Sequence, residues 1–183
     1  MQIRQACTRE DLDGILQLQQ ENHKDHLSPS EMTTEGFLTV KHTPELLEEM
    51  NRELKHIIAV VNKKVVGYAL CMTPNLRNRL PVLESMFEKL DGLSFEGSAL
   101  KDSAYYIMGQ ICVDKYYRGT GVFTKLYEGH RKFYSGRYDH IITEVSEGNP
   151  RSLRAHEKTG FQTLLRYRDT TDNWHLILWN WNS

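Results

Sequence analysis

The sequence predicts one mixed α/β domain over residues 1–183. Three observations support this fold class. Short strand-like runs alternate with amphipathic helical patterns along the chain. One of these runs ends at Asp114, where a glycine turn follows and an amphipathic helix begins. The length of 183 residues and the 39% hydrophobic content suit one well-filled core, and a second full domain would not fit comfortably.

The N-terminal part predicts a strand and two helices. Residues 3–7 form a candidate strand, and Thr8 then begins a helix with Asp11 three residues later, a variant of the capping box. The second helix begins at Thr43-Pro44, where a hydroxyl cap precedes a proline in the first turn. The connection between the two helices is interpreted as a loop at residues 23–29, followed by a short strand or mobile connection at residues 35–40.

A β-hairpin and an insertion come next. Residues 57–61 and 65–72, joined by a polar turn, are typical of a hairpin. The segment from Thr73 to Ser103 departs from the strand and helix alternation and contains a candidate helix at residues 82–90. We interpret it as an insertion over one end of the sheet, placed before the fourth strand of the main sheet.

The C-terminal half predicts four strands and two helices. The strand at residues 105–113 is almost continuously apolar, which is typical of a strand buried on both faces. A helix follows the glycine turn and ends near Gly136. The later elements are a strand, a helix and two strands, at residues 140–145, 149–158, 161–167 and 174–181.

Charge and composition exclude several classes of protein. Lys plus Arg number 23 against 24 for Asp plus Glu, so a global basic field for binding nucleic acid is absent. No apolar run approaches the ~18 residues that a membrane span requires, and the first residues are expected to open directly into structure without an apolar signal region. The eight histidines show no spacing typical of a metal site. Three cysteines, an odd number in apolar surroundings, indicate a reducing compartment, so a cytoplasmic protein is expected.

The turn after the strand at residues 105–113 has the features of a phosphate-binding loop. Gly119 and Gly121 allow the backbone to approach a ligand closely. The helix that begins directly afterwards directs its first N–H groups at an anion. Arg118 adds a positive charge with a planar set of donors. The sequence therefore predicts a cofactor that carries phosphate.

A second motif begins 28 residues after Gly121, and a predicted strand lies between the two. Together they resemble the GNAT superfamily of acetyl-CoA-dependent N-acetyltransferases. The first motif is similar to the Arg/Gln-x-x-Gly-x-Gly/Ala pyrophosphate loop of that family, matched by Arg118 and Gly121. The second resembles its Asn-x-x-Ala/Ser-x-x-x-Tyr-x-Lys-x-Gly-Phe segment, matched at Asn149, Ser152, Lys158, Gly160 and Phe161. The resemblance implies a mostly antiparallel sheet of about seven strands flanked by helices.

The resemblance also implies where acetyl-CoA binds. One strand supplies backbone groups to the pantetheine arm, a main-chain N–H near Val113 polarises the thioester carbonyl, and the glycine loop holds the pyrophosphate. The amine then attacks the thioester directly, so Cys112 is interpreted as a strand residue and not as a nucleophile. The cofactor-binding residues expected on this basis are Ile111, Cys112, Val113, Arg118, Gly119, Thr120, Gly121, Val122, Phe123, Thr124, Asn149 and Ser152.

Two positions depart from the family pattern. Phe123 stands where the loop usually has Gly or Ala, so its side chain must turn away from the ligand into the core. His156 stands where the second motif usually has the Tyr that protonates the departing thiolate. His156 is the predicted catalytic residue, and the alternative is that it only packs on its helix while a water supplies the proton. The identity of the general base stays open. Glu144 is a candidate if its side chain faces the cleft, but strand alternation could equally turn it outward. An amine that enters already deprotonated would need no base.

Several functions are compatible with these residues. The leading hypothesis is transfer of an acetyl group to the amine of a small molecule or a protein, with Phe37 either contacting the acceptor or serving as a buried anchor. The alternative is a non-catalytic acyl-CoA-binding sensor. A third hypothesis assigns Trp174, Trp179 and Trp181 to an assembly surface or to the core, with an edge strand available to form a homodimer.

Overall fold

The computed structural model describes residues 1–26, 38 and 40–182 of the chain. By their internal contacts they form two compact units. Unit 1 comprises Met1–Met72 and Met108–Phe133, and unit 2 comprises Thr73–Ile107 and Tyr134–Ser183. The predicted strand at residues 35–40 and the proposed role of Phe37 lie largely or wholly outside the described residues.

Unit 1 begins with strand β1 (Gln2–Gln5) and helix α1 (Arg9–Asn22). The capping box is present as predicted, because Thr8 Oγ1 accepts from the Asp11 N–H at 3.2 Å and Asp11 Oδ2 accepts from the Thr8 N–H at 3.2 Å. Helix α2 (Pro44–Glu53) begins after Thr43, whose side chain accepts from the Leu46 N–H. Both predicted helix starts are therefore confirmed. Of the loop predicted at residues 23–29, the structure describes residues 23–26, where His23 forms a bridge with Leu38 and Lys24–His26 form a 3-10 turn; residues 27–29 lie outside the described residues.

The predicted hairpin is formed by β2 (Ile57–Val61) and β3 (Lys64–Met72), which pair in antiparallel fashion. Its turn places Asn62 and Lys63 at φ angles of 48° and 66°. These left-handed values suit the tight turns that join twisted antiparallel strands. Strand β1 extends the hairpin by pairing with β2.

Unit 2 contains the insertion. Two 3-10 turns, Pro74–Arg79 and Pro81–Leu83, precede helix α3 (Glu84–Asp91). A small hairpin follows, formed by β4 (Ser94–Phe95) and β5 (Ser98–Ala99). Thus the helix predicted at residues 82–90 is present, and a hairpin occupies the glycine- and serine-containing stretch after it.

The long predicted strand is β6 (Tyr105–Val113), as expected, and residues of both units contribute to it. Helix α4 (Val122–Tyr134) follows the glycine turn. In unit 1 this helix approaches the sheet closely at Gly129, where a Cβ atom would lie 2.8 Å from the side chains of Ile3 and Ile57. A larger residue at Gly129 would therefore push α4 away from β1 and β2.

The remaining elements of unit 2 are β7 (His140–Ser146), α5 (Pro150–Thr159), β8 (Gln162–Arg168) and β9 (Asn173–Asn180). Strand β7 pairs in parallel with the Tyr105–Ile107 part of β6 and in antiparallel fashion with β9, which also pairs with β8. Trp181 is buried and packs against Tyr106 with the two rings tilted, which favours a core role for Trp181.

The strands form one seven-stranded sheet in the order β1-β2-β3-β6-β7-β9-β8. Of the pairings described above, only that of β6 with β7 is parallel. The predicted mixed α/β fold with a mostly antiparallel sheet is confirmed. The last strand along the chain, β9, is internal in the sheet and β8 is the edge, because the chain returns between β7 and β8. The assignment of residues 1–183 to one domain stays a prediction.

Within residues 1–26, 38 and 40–182, no helix has the length and apolar character needed to cross a membrane.

Candidate functional site

In unit 1, Asp114 ends β6 and begins the glycine turn. Its N–H donates to the Val66 carbonyl at 2.9 Å, and its carboxylate accepts from the Tyr116 N–H and from Lys64 Nζ, both at 3.0 Å. Burial acts to raise the pKa of Asp114, but the Tyr116 N–H and the Lys64 ammonium outweigh it, so the pKa is lowered. Asp114 is therefore an ionised anchor that fixes where the strand turns into the loop.

Arg118 folds back onto the end of its own strand. Its Nε donates to the Val113 carbonyl at 3.1 Å, and its Nη2 donates to Oδ1 of Asn22, the last residue of α1, at 2.5 Å. Two donors of the guanidinium thus bind protein groups, and these bonds hold the first residue of the predicted phosphate motif in position. No sequence pattern indicated Asn22, because it lies 96 residues away in the chain.

The two loop glycines adopt the conformation that the phosphate-binding interpretation requires. Gly119 and Gly121 have φ angles of 75° and 83°, in the left-handed region where other residues are strained. A Cβ atom at either position would meet no atom within 4 Å, so the space beside both peptides is open. The glycines are therefore required by backbone conformation and not by crowding within the protein.

Helix α4 begins directly after Gly121. The Lys125 N–H is bonded to the Gly121 carbonyl at 3.1 Å, so the N–H groups of Val122, Phe123 and Thr124 precede the first intrahelical bond. The first turn contains no acidic side chain. The Phe123 ring lies edge-on against buried Tyr127, with ring centroids 5.1 Å apart, which agrees with the expected turn of this side chain towards the core.

These features of unit 1 fit the phosphates of a coenzyme A ligand. The loop combines open space beside two glycine peptides, the positive end of a 13-residue helix and an absence of carboxylates in its first turn. A compact dianion would therefore meet backbone donors and no acidic side chain from that turn.

The hydrogen bond of Asp114 to β3 also determines the direction of the N–H group that precedes it in the strand. Since the Asp114 N–H points to β3 and successive N–H groups of a strand point to opposite edges, the Val113 N–H points away from β3. Burial raises the pKa of the Cys112 thiol to about 12, and the nearby Arg118 charge offsets only part of this rise. A thiol with that pKa is not ionised near neutral pH, which favours the strand role of Cys112 over a nucleophilic one.

In unit 2, the second motif forms helix α5 and its two ends. Asn149 caps the helix by accepting from the Ser152 N–H at 3.2 Å, and Pro150 occupies its first turn. Gly160 ends the helix with a φ angle of 113°, where a Cβ atom would lie 2.9 Å from the Trp179 ring. The motif residues thus share one helix, and its caps account for Asn149 and Gly160.

His156 lies inside this motif and is 1% exposed. Its Nδ1 is 2.8 Å from the Ser152 carbonyl, which can only accept, so Nδ1 carries the proton of the neutral ring. Burial lowers the pKa of His156 to about 4. The ring is therefore neutral at neutral pH, and it packs edge-on against Phe161 with centroids 5.1 Å apart.

Glu144 of β7, which the sequence left open as a base, has a defined partner. The Tyr167 hydroxyl of β8 donates to Glu144 Oε2 at 2.5 Å. Burial raises the pKa of Glu144 to about 7, although the Tyr167 hydrogen bond acts in the opposite direction. A carboxyl group with this pKa exists in both protonation states near neutral pH, as a group that exchanges protons must.

Glu144 and His156 lie on opposite faces of the sheet in unit 2. Trp179 pairs with Ile141 in the β7–β9 register, and the Phe161 ring between Trp179 and His156 places α5 on the face of Ile141. Glu144 is three residues from Ile141 along β7 and therefore points to the other face.

Known proteins resemble this chain as follows. The sequence profile of the acetyltransferase (GNAT) family matches residues 13–161. No curated protein matches the sequence. The structure of Ard1 from Thermoplasma volcanium has a TM-score of 0.65 at 16% identity, covering 97% of this chain and 95% of that chain.

Two further solved structures have the same fold. A ribosomal-protein-alanine N-acetyltransferase from Brucella melitensis has a TM-score of 0.64 at 19% identity, covering 98% of this chain and 99% of that chain. A chain of the NatC complex bound to Gag peptide and CoA has a TM-score of 0.64 at 17% identity, covering 98% of this chain and 99% of that chain. With the profile match over most of its length, the chain belongs to the acetyltransferase (GNAT) family.

Proposed function

We propose that this enzyme transfers an acetyl group from acetyl-CoA to a primary amine of a small molecule or a protein, by direct attack of the amine on the thioester. The observation that carries the donor part of the proposal is the loop from Arg118 to Thr124, with its two left-handed glycines before the N-terminus of α4. Backbone N–H groups in this arrangement bind phosphate irrespective of what the acyl group is.

The strand before the loop supplies the thioester contacts in this proposal. Ile111, Cys112 and Val113 run along the pantetheine arm, and the Val113 N–H donates to the carbonyl oxygen as negative charge develops on it. Its direction away from β3 supports this role, since a donor already bonded to β3 would be committed to the sheet. Asn149 and Ser152, at the N-terminus of α5, contribute to the binding of acetyl-CoA in this proposal.

Direct attack requires two proton transfers. The ammonium group of the acceptor must lose a proton before its nitrogen can attack, and the departing thiolate must gain one. We assign the first transfer to Glu144 and the second to His156. Their positions on opposite faces of the unit 2 sheet support this division, because the amine and the sulfur lie on opposite sides of the carbonyl carbon that they share.

His156 is a neutral ring before the reaction. It must therefore first take up a proton from solvent at Nε2, and a thiolate that forms beside it favours the resulting imidazolium, because an opposite charge raises the pKa of a cation. The protonation step then joins a proton to sulfur while the ring returns to its neutral form. The assignment of His156 as the proton donor is a prediction from the motif, and burial lowers the pKa of this residue to about 4.

Calorimetry with acetyl-CoA tests the donor site. We expect the wild-type protein to bind and the Arg118→Ala, Gly121→Glu double variant to lose binding, because it removes a positioned cation and introduces a carboxylate beside the helix N-terminus. The matched control is Gly97→Ala, since Gly97 has the same left-handed conformation (φ 85°) in the β4–β5 hairpin. Binding that survives in the double variant would contradict the assignment of the loop.

Acetyl transfer is tested by incubating the protein with acetyl-CoA and a panel of small amines and peptides, and detecting acetylated products by mass spectrometry. Product formation supports an amine acceptor and identifies its class. Binding of acetyl-CoA without transfer to any amine would instead support the sensor hypothesis.

A further inference from the structure

The Glu144–Tyr167 pair crosses a strand. Strands β7 and β8 are not neighbours, because β9 lies between them. Ser146 and Tyr167 both pair with Trp174 of β9, so all three side chains share one face, and Glu144 shares it too because it lies two residues from Ser146. The Tyr167 ring must therefore reach across β9 to place its hydroxyl 2.5 Å from Glu144 Oε2.

The hydrogen bond from Tyr167 constrains the Glu144 carboxyl group. The tyrosine side chain has only two rotatable bonds before its rigid ring. A 2.5 Å hydrogen bond from its hydroxyl therefore holds one oxygen of Glu144 and leaves the other oxygen for a second partner. The second oxygen is the one left for a substrate.

The insertion contributes to the same chain of contacts. Burial and Glu144 raise the pKa of the Tyr167 hydroxyl, and a smaller opposing effect comes from a side-chain hydrogen bond with Ser85, in the first turn of α3. The order of contacts is thus Ser85, Tyr167 and Glu144. A helix that belongs to the insertion supports a side chain on the central sheet of unit 2.

We propose that Tyr167 is a positioning residue for acetyl transfer, which holds Glu144 so that its second oxygen takes a proton from the ammonium group of the acceptor, with Ser85 of the insertion orienting the Tyr167 hydroxyl. This inference rests on the proposed function. The step breaks one N–H bond of the ammonium, forms one O–H bond on Glu144 and leaves the nitrogen electron pair free to attack. Tyr167 keeps its own proton throughout.

The groups that act on this pair are few. Besides Tyr167, the charge that acts on Glu144 is Asp169, which raises its pKa. Tyr167 is acted on by Glu144, Asp169 and Ser85. From the intervening strand β9, Trp174 and Leu176 face the pair, and neither titrates.

These contacts determine in which direction loss of the Tyr167 hydroxyl shifts the pKa of Glu144. The Tyr167 hydroxyl stabilises the ionised form of Glu144, so its removal raises the pKa of the carboxyl group further. The base must be ionised to accept a proton. In the Tyr167→Phe variant, the acid limb of kcat/KM for the acceptor should therefore move to higher pH by about one unit, the size expected when one hydrogen bond to a charged group is lost.

The experiment measures the pH profile of kcat/KM for wild type, Tyr167→Phe and Ser85→Ala, with Tyr138→Phe as the control for loss of a buried tyrosine hydroxyl in the same unit. We expect an upward shift for Tyr167→Phe, a smaller change for Ser85→Ala and none for Tyr138→Phe. A Tyr167→Phe variant with lower activity at every pH but an unchanged midpoint would mean that Tyr167 serves only the fold, and would overturn the proposal.

A second readout does not depend on activity. The carbon NMR signal of the Glu144 side-chain carboxyl group, assigned with Glu144→Gln, reports its titration directly in folded protein. A midpoint that rises in Tyr167→Phe supports the contact, and an unchanged midpoint contradicts it. If wild-type protein acetylates no amine while this midpoint still shifts, the proposed function fails and the coupling of the two residues stands.

Discussion

The Arg118 guanidinium donates to Asn22 Oδ1 at 2.5 Å, and so connects the first residue of the proposed phosphate loop to the last residue of α1. The Asn22 side chain is held in turn, because its Nδ2 donates to the Leu18 carbonyl at 2.9 Å. The Asn22 carbonyl accepts from the Leu38 N–H at 3.2 Å. One buried asparagine therefore contacts both the loop and the chain that returns after α1.

This relationship predicts that Asn22→Ala weakens binding of acetyl-CoA. Without the amide oxygen, the Arg118 side chain loses a partner that fixes it against the Val113 carbonyl, and the loop becomes less ordered before the ligand arrives. Hydrogen bonds to charged groups contribute about 1.5–3 kcal/mol, so we expect roughly a tenfold rise in Kd by calorimetry. Asn78→Ala, a change of an exposed asparagine, is the control. Equal Kd values for Asn22→Ala and wild type would show that the loop needs no support from α1.

The left-handed glycines allow a sharper comparison. Gly121→Ala and Gly97→Ala both place a methyl group in open space at nearly the same φ angle, 83° and 85°. Each should lose about 1 kcal/mol of stability from backbone strain, measured by urea denaturation. Only Gly121→Ala should also weaken acetyl-CoA binding, because relief of its strain redirects the peptides at the start of α4. A similar loss of affinity in both variants would mean that strain acts through global stability and not through the loop.

Local patterns were sufficient to predict the strand, the glycine turn and the helix start around the proposed phosphate loop. Glycine spacing, the strand before it and the helix after it are all contained in residues 105–134, and each has a local physical cause. The structure has the same strand and the same helix start, with both loop glycines in left-handed conformations. The bounds of β8 and β9 differ from the predicted ones by only one residue at each end.

The contacts that position side chains could not be predicted in this way. Strand alternation left two orientations for Glu144, and only the register with β9 decides between them. Tyr167 could not be identified as its partner, since the two strands are separated in the sheet by a strand that comes later in the chain. The same applies to Asn22, whose contact with Arg118 depends on how α1 packs in unit 1.

The Arg4–Asp11 pair predicts how stability depends on pH. The Arg4 hydrogen bonds, at 2.6 Å and 2.7 Å, lower the pKa of Asp11 to about 2, below its ordinary value of 3.8, and the N–H groups of Cys7 and Thr8 add to this effect. A carboxyl group whose pKa is lower in the folded state stabilises the fold above its ordinary pKa. That stabilisation is lost as the pH falls from about 4 to about 2.

Urea denaturation between about pH 5 and pH 2 measures this effect. We expect Asp11→Asn to be less stable than wild type at pH 5 by about 1–3 kcal/mol, and the difference to shrink as the pH approaches 2. Asp13→Asn is the control, because the Asp13 side chain is 56% exposed and its ion pair with Arg9 lies at the surface. A constant difference between Asp11→Asn and wild type at every pH would contradict the linkage.

His156 gives the most direct test of the chemistry. If it protonates the thiolate, His156→Phe removes the proton source while the edge-on contact with Phe161 keeps an aromatic ring in place. We expect kcat to fall by about a hundredfold or more and KM for acetyl-CoA to change little, as is typical of losing a general acid. His156→Tyr should recover part of kcat, because a phenol supplies a proton without needing a positive charge. Thermal unfolding of both variants checks that the buried site accepts them. A kcat of His156→Phe equal to that of wild type, in folded protein, would mean that water protonates the thiolate and that His156 serves only to pack α5 against the sheet.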